Sequence, residues 1–194
     1  MNDNSTIDNS YYGCTTPQHA LWVAECRSVS KLRKKRCSDD ERREIINACR
    51  EHEGADVKDI ISRWENFKNI AEDDLWQIAK AFNLEMNGCG TAGWKGALVP
   101  NRPPTMLWLV SWAKACNLHD IIYGIGGDWV IRLFADLYFL RKMKDTCRRR
   151  LIITRMLGLR WGERTADLYY WYVRMYGKKF FKSNPPKPKK EVIV

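Results

Sequence analysis

A chain of 194 residues, 45% of them hydrophobic, is long enough to enclose a sizeable core, and its length suits one domain or one domain with a smaller appendage. The net charge of +10 sits at one end: Arg141 to Lys190 holds 16 Lys and Arg against three acids, a local +13 that leaves about −3 for the rest. No apolar run approaches the ~20 residues of a membrane-spanning helix, the longest candidate after Cys147 being broken by Arg155 and Arg160, so a helical span is not expected.

Taken in chain order, Met1 to Thr6 is polar and lacks the basic-then-apolar pattern of a secretory signal, so any export is expected to use another route. Residues 1 to 13 read as a disordered start. A helix is predicted from Pro17 to about Leu32, and a second from the cap-like Ser38-Asp-Asp to Glu51. Asp56 to Phe67 and Glu72 to Phe82 follow as helices with apolar stripes at Ile60, Ile61, Trp64, Phe67 and at Leu75, Ile78, Ala79, Phe82. His19 and His52 have no ligand-like neighbours, and this half of the chain supplies helices but no reagents.

The chain contains seven cysteines, four of which fall into a pattern: eleven residues separate Cys14 from Cys26, and eleven separate Cys37 from Cys49. A helical hairpin stapled twice, Cys26 to Cys37 and Cys14 to Cys49, would produce this spacing and would indicate an oxidising compartment. Four buried thiols account for it too. A four-thiolate zinc site is a third account, although the usual close ligand pairs are missing.

The texture changes at Met86. Asn87-Gly-Cys-Gly-Thr-Ala-Gly-Trp-Lys-Gly96 packs four glycines into ten residues and leads into the proline loop Pro100 to Pro104. A predicted helix then carries Leu109, Trp112, Cys116, His119 and Tyr123 on one face and ends at Gly124-Ile-Gly-Gly127. Asp120 follows His119 and points about 100° away from it. Asp128 is placed to cap the next helix, predicted to run to about Cys147, with Trp129, Leu133, Asp136, Leu140, Met143 and Cys147 on one stripe.

Asp136 is the one carboxylate in that apolar stripe, and a buried carboxylate without a partner costs several kcal/mol. His119 and Asp136 lie about 9 Å and about 12 Å of helix from the glycine turn, so an antiparallel pair brings them roughly level. Asp136 could then accept from an imidazole nitrogen and from the Tyr123 hydroxyl, leaving the other nitrogen as a base. A buried ion pair that only joins two helices uses the same residues. The glycine loop adds a second chemistry, because glycines let successive carbonyls turn toward one hard cation, with Asp120 as a further oxygen ligand. A Cys89–Cys116 bridge would hold loop and helix together.

Taken in order, Gly88-Cys-Gly-Thr-Ala-Gly93, Ala115-Cys-Asn-Leu-His-Asp-Ile-Ile-Tyr123 and Ala135-Asp136 with Cys147 beyond resemble the calcium-dependent secreted-type phospholipase A2 superfamily. The likeness is nearest to its compact bacterial, fungal and phage-encoded members. It covers roughly residues 86 to 183, including the ending Tyr169 to Phe181. The resemblance implies a mainly α fold, with a core of two antiparallel catalytic helices and a glycine-rich calcium loop. Three regions follow: residues 1–85 as a helical docking, delivery or regulatory module, 86–183 as the catalytic domain, and 184–194 as a basic Pro/Lys-rich tail. It further implies hydrolysis of the sn-2 ester of glycerophospholipids, with His119 as base, Asp136 orienting it, Tyr123 holding Asp136, and the Gly90 amide at the oxyanion. Calcium would be bound by Asp120 and by the carbonyls of Gly88, Gly90 and either Ala92 or Gly93. Ala92 stands where many members have a second glycine, and Trp94 to Pro104 is an insertion.

The basic C-terminal quarter also carries Trp161, Tyr169 to Tyr172, Tyr176, Phe180 and Phe181, which suits an anionic phospholipid surface. Single-stranded nucleic acid fits the same mix, and a core helix with a solvated basic face is the plainer reading. The alternative function is therefore a scaffold without turnover that binds membranes or nucleic acid. Residues 1–85 would be the place for a protein partner, and a leaderless lipase suggests an exported toxin or a virion component.

Overall fold

Local chemistry at the helix ends accounts for most of the element boundaries. In the computed structural model, which describes residues 13–29, 36–86, 111–150 and 161–181, α1 spans Pro17–Val29 and α2 spans Asp39–Arg50. Proline at the first helical position of α1 loses no bond there, since that amide has no partner within the helix. Ser38 caps α2 in a reciprocal box: its hydroxyl accepts from Glu41 N, and Glu41 Oε2 accepts from Ser38 N at 2.8 Å. Asp56 caps α3 (Val57–Phe67) through Lys58 N at 2.8 Å. The first turn of α4 (Glu72–Ala81) is Glu72, Asp73 and Asp74, which complement the positive end of its dipole.

Next comes α5 (Ala113–Ile125), which closes on Gly126 at φ 73° and Gly127 at φ 136°. Both lie in the left-handed region that favours glycine. Asp128 then caps α6 (Trp129–Arg150), its carboxylate accepting from Ile131 N at 2.9 Å. The last described elements are α7 (Trp161–Tyr176) and a 3-10 turn at Gly177–Phe180. The described residues form a mainly α protein with no strand among them.

One hydrophobic core joins the helices before Met86 to those after it. Trp64 and Phe67 of α3 meet Phe134 of α6 at ring distances of 5.5 and 5.2 Å, and Phe67 meets Tyr138 edge-on. Burying each such ring stabilises the fold by about 1.5–3 kcal/mol. Polar ties follow the same seam: Lys142 of α6 and Lys114 of α5 both reach Glu72 of α4, Tyr170 of α7 donates to Glu44 of α2, and Gln18 of α1 donates to the Ile125 carbonyl.

Two expectations differ from what the structure shows. No disulfide joins Cys14, Cys26, Cys37 and Cys49 among the described residues, so the double staple is not seen. The physical reason is the packing: α1 lies on α3, α4 and α5 while α2 lies on α3 and α6, which is not a closed α1–α2 hairpin. Cys14 and Cys49 are instead buried in the core and Cys26 is exposed. Among the described residues no three or more His, Cys, Asp or Glu converge as metal ligands. Second, Trp112 is the residue before α5 rather than part of its stripe; it is fully buried in the core. Leu109 lies outside the described residues, as do the predicted end of α1 at Leu32, the first twelve residues and residues 182–194.

Candidate active site

The glycine turn at 126–127 folds α5 back along α6, and the two helices pack face to face. This brings together three of the predicted site residues. His119 Nε2 lies 3.0 Å from Asp136 Oδ1, and the Tyr123 hydroxyl donates to the same oxygen at 2.7 Å. Asp136 is wholly buried and His119 is 7% exposed. A carboxylate can only accept, so the imidazole hydrogen belongs on Nε2 and the lone pair on Nδ1. The ring is clamped between aromatic neighbours, Tyr123 at 4.0 Å and Phe139 at 4.9 Å between centroids. The imidazole is therefore held in one orientation and one tautomer beside an apolar wall.

A third donor to Asp136 was missed in the sequence. Arg174 of α7 places Nη1 3.1 Å from Asp136 Oδ2, so the carboxylate's two oxygens are shared among an imidazole, a phenol and a guanidinium. A buried anion with this set is compensated in both charge and hydrogen bonds. Burial alone would lower the Arg174 guanidinium, but the Asp136 charge, the neighbouring Tyr170 and the hydrogen bond to Asp136 together outweigh it and hold the group above its ordinary value. In turn, Arg132, one helical turn before Asp136, donates to the Arg174 carbonyl at 2.6 Å and fixes the backbone of α7 at this point. The signal that could have revealed Arg174 is its place on the inner stripe of α7, four residues after Tyr170 and three before Gly177, both buried.

Burial, followed by the Asp136 charge and the bond to it, pushes the Tyr123 phenol far above its ordinary value, and the nearby Arg132 opposes this only in part. Tyr123 therefore remains a neutral donor at any physiological pH. Its hydroxyl packs against Gly177, where a Cβ would stand only 2.7 Å away, and its ring meets Phe181 edge-on at 5.2 Å. The 3-10 turn and the end of α7 thus form the back wall of the site.

Asp120 is half-buried on α5, directly after His119. The other predicted metal-site residues, Gly88, Gly90, Ala92 and Gly93, lie outside the described residues, as does Cys89. Cys116, one turn before His119, is disulfide-bonded. Cys147, on the predicted stripe of α6, is a buried free thiol.

No protein-family model, no curated protein and no solved structure matches this chain.

Proposed function

We propose that the protein is a phospholipase A2-like hydrolase that uses His119 to activate water against the sn-2 ester of a glycerophospholipid. The observation that carries the reading is the buried dyad: a histidine with Nε2 committed to Asp136 and Nδ1 left with a lone pair, under a neutral tyrosine that holds the same carboxylate. A buried pair serving only to join helices would not need the imidazole fixed in that tautomer between Tyr123 and Phe139.

In the proposed reaction, Nδ1 of His119 takes a proton from water as the water oxygen attacks the ester carbonyl carbon. Asp136 stabilises the imidazolium that forms, without taking the proton, while Tyr123 and Arg174 keep the carboxylate in place. The acyl C–O bond then breaks, and the imidazolium returns its proton to the departing glycerol oxygen. The products are a fatty acid and a lysophospholipid.

Calcium is the implied cofactor, and the Asp120 carboxylate is the hard, half-buried oxygen the described residues offer it. The carbonyls of Gly88, Gly90 and Ala92 or Gly93 would complete its ligands, the Gly90 amide would donate to the oxyanion, and a Cys89–Cys116 bridge would hold that loop beside α5. When bound, the ion would polarise the ester carbonyl and neutralise the developing negative charge. The partner is an anionic phospholipid surface. The second reading, binding membranes or nucleic acid without turnover, would use the same apolar and cationic outer side of α7.

His119→Gln keeps a polar side chain of similar reach but supplies no base. It is expected to abolish fatty-acid release with the fold intact by circular dichroism. Continued calcium-dependent release would remove His119 from the mechanism, and hydrolysis unaffected by a calcium chelator would remove the metal.

A further inference from the structure

The two sides of α7 differ in chemistry. Ala166, Tyr170 and the following Gly177 are buried against the core, with Val173 and Arg174 half-buried beside them. On the opposite side Leu168, Trp171, Tyr172, Met175 and Tyr176 recur at helical spacing and are all exposed, Leu168 by 66% and Trp171 by 57%, and Phe180 continues the strip into the 3-10 turn. Single exposed apolar residues are ordinary; a stripe of five along one helix, continued by a sixth in the turn after it, marks a surface made to be covered.

Charge identifies what covers it. The acids of α7 are committed to α6, Glu163 to Arg148 at 2.8 Å and Asp167 to Lys144 at 2.7 Å. Arg164, Lys178 and Lys179 stand exposed around the stripe. Apolar and aromatic residues rimmed by cations fit the boundary of an anionic bilayer, where aliphatic chains enter the acyl layer and Trp and Tyr remain at headgroup level. Pairing this face with a second copy would set cations against cations. A nucleic-acid strand would find no stacking surface at Leu168 or Met175.

We propose that α7 seats the protein on an anionic phospholipid bilayer with its outer face while Arg174 on its inner face positions Asp136, so that the docking element is also the one that holds the dyad. The positioning half rests on the hydrolase reading given above, and the docking half does not. Arg174 is a positioning residue, acting on the imidazole through Asp136.

The test uses the full chain carrying H119Q, which removes turnover, with vesicles of phosphatidylcholine alone or mixed with phosphatidylglycerol. Sedimentation should give salt-sensitive binding that favours the mixed vesicles. Adding W171E and M175E should weaken it by at least about 100-fold, since two large apolar side chains no longer leave water. In the otherwise wild-type chain, the W171E/M175E pair should leave hydrolysis of a soluble, monomeric short-chain phospholipid unchanged. R174Q should do the reverse: it should bind vesicles fully and lose most of kcat on the soluble lipid while KM changes little, because the carboxylate that orients the imidazole loses its guanidinium. R174K should restore part of the rate. Vesicle binding unaffected by W171E/M175E would overturn the docking face, as would capture of a single-stranded oligonucleotide in place of vesicles. An R174Q kcat equal to that of the wild type would overturn the positioning role. If the wild-type protein binds vesicles but hydrolyses neither lipid, the hydrolase reading fails while docking stands. The His119 ring 15N resonances then decide the positioning role, for which their failure to move in R174Q is the contrary result.

Discussion

The contact between Gly177 and Tyr123 gives a prediction that depends on geometry alone. A methyl added at Gly177 would lie 2.7 Å from the Tyr123 hydroxyl oxygen and 3.3 Å from Val173 Cγ1. Carbon and oxygen meet at roughly 3.3–3.6 Å even in weak C–H···O contacts, so the hydroxyl must retreat by about 0.6 Å or more. It has little room to do so, being bonded to Asp136 at 2.7 Å with its ring fixed by His119 and Phe181. Overpacking of this kind costs about 1–3 kcal/mol. Tyr123→Phe removes the hydroxyl and with it a bond to a charged acceptor, a loss of about 1.5–3 kcal/mol. In the phenylalanine background the new methyl has no oxygen to strike, so the two changes should fall short of additivity by about 1 kcal/mol or more. Denaturant unfolding of the wild type, G177A, Y123F and the double variant, with slopes compared to check that the unfolded states match, measures the cycle. Additivity to within about 0.5 kcal/mol would show that Gly177 does not seat this hydroxyl.

Other outcomes follow from the buried charges. Lys68 has a wholly buried side chain, and its ammonium donates to the Arg36 carbonyl at 2.7 Å and to Glu41 at 3.3 Å. Glu41→Ala leaves that cation uncompensated and should cost about 3–5 kcal/mol, whereas Lys68→Met should cost clearly less; equal melting temperatures for the two would refute the assignment. Burial and adjacent carboxylates raise the phenols of Tyr123 and Tyr170, and burial pushes Tyr169 up to about 12. Each folded value lies above the ordinary 10.0, so the unfolded chain releases protons first as pH rises. Stability from these groups is therefore complete below pH 10 and declines above it. Urea midpoints between pH 8 and pH 11.5 test this, and a midpoint that stays flat above pH 10 would contradict it.

The helices and the dyad were legible in the sequence because their causes are local. Ser38 with Glu41, Asp56 and Asp128 announce helix starts through hydrogen bonds a few residues long, and each is in place. Asp136 was recognisable as half of a pair because a lone carboxylate in an apolar stripe requires a partner, and the glycine turn limited the candidates to the preceding helix. Arg174 was hidden for the opposite reason. It stands in a run of cations and aromatics whose collective character suggests a surface, and only the packing of α7 on α6 turns this one inward. The cysteine interval is ambiguous for the same reason: eleven residues suit a stapled hairpin only if the two helices close on one another, and α1 and α2 make their main contacts elsewhere. Which helix packs on which depends on shape across the whole core, and no short motif encodes it.

Release of fatty acid from the sn-2 position of anionic phospholipid vesicles, by the purified protein in calcium and by its H119Q variant, addresses the central claim most directly. Calcium-dependent release by the wild type and none by the variant is the predicted result. Equal release by both proteins, or none by the wild type in calcium, would contradict it.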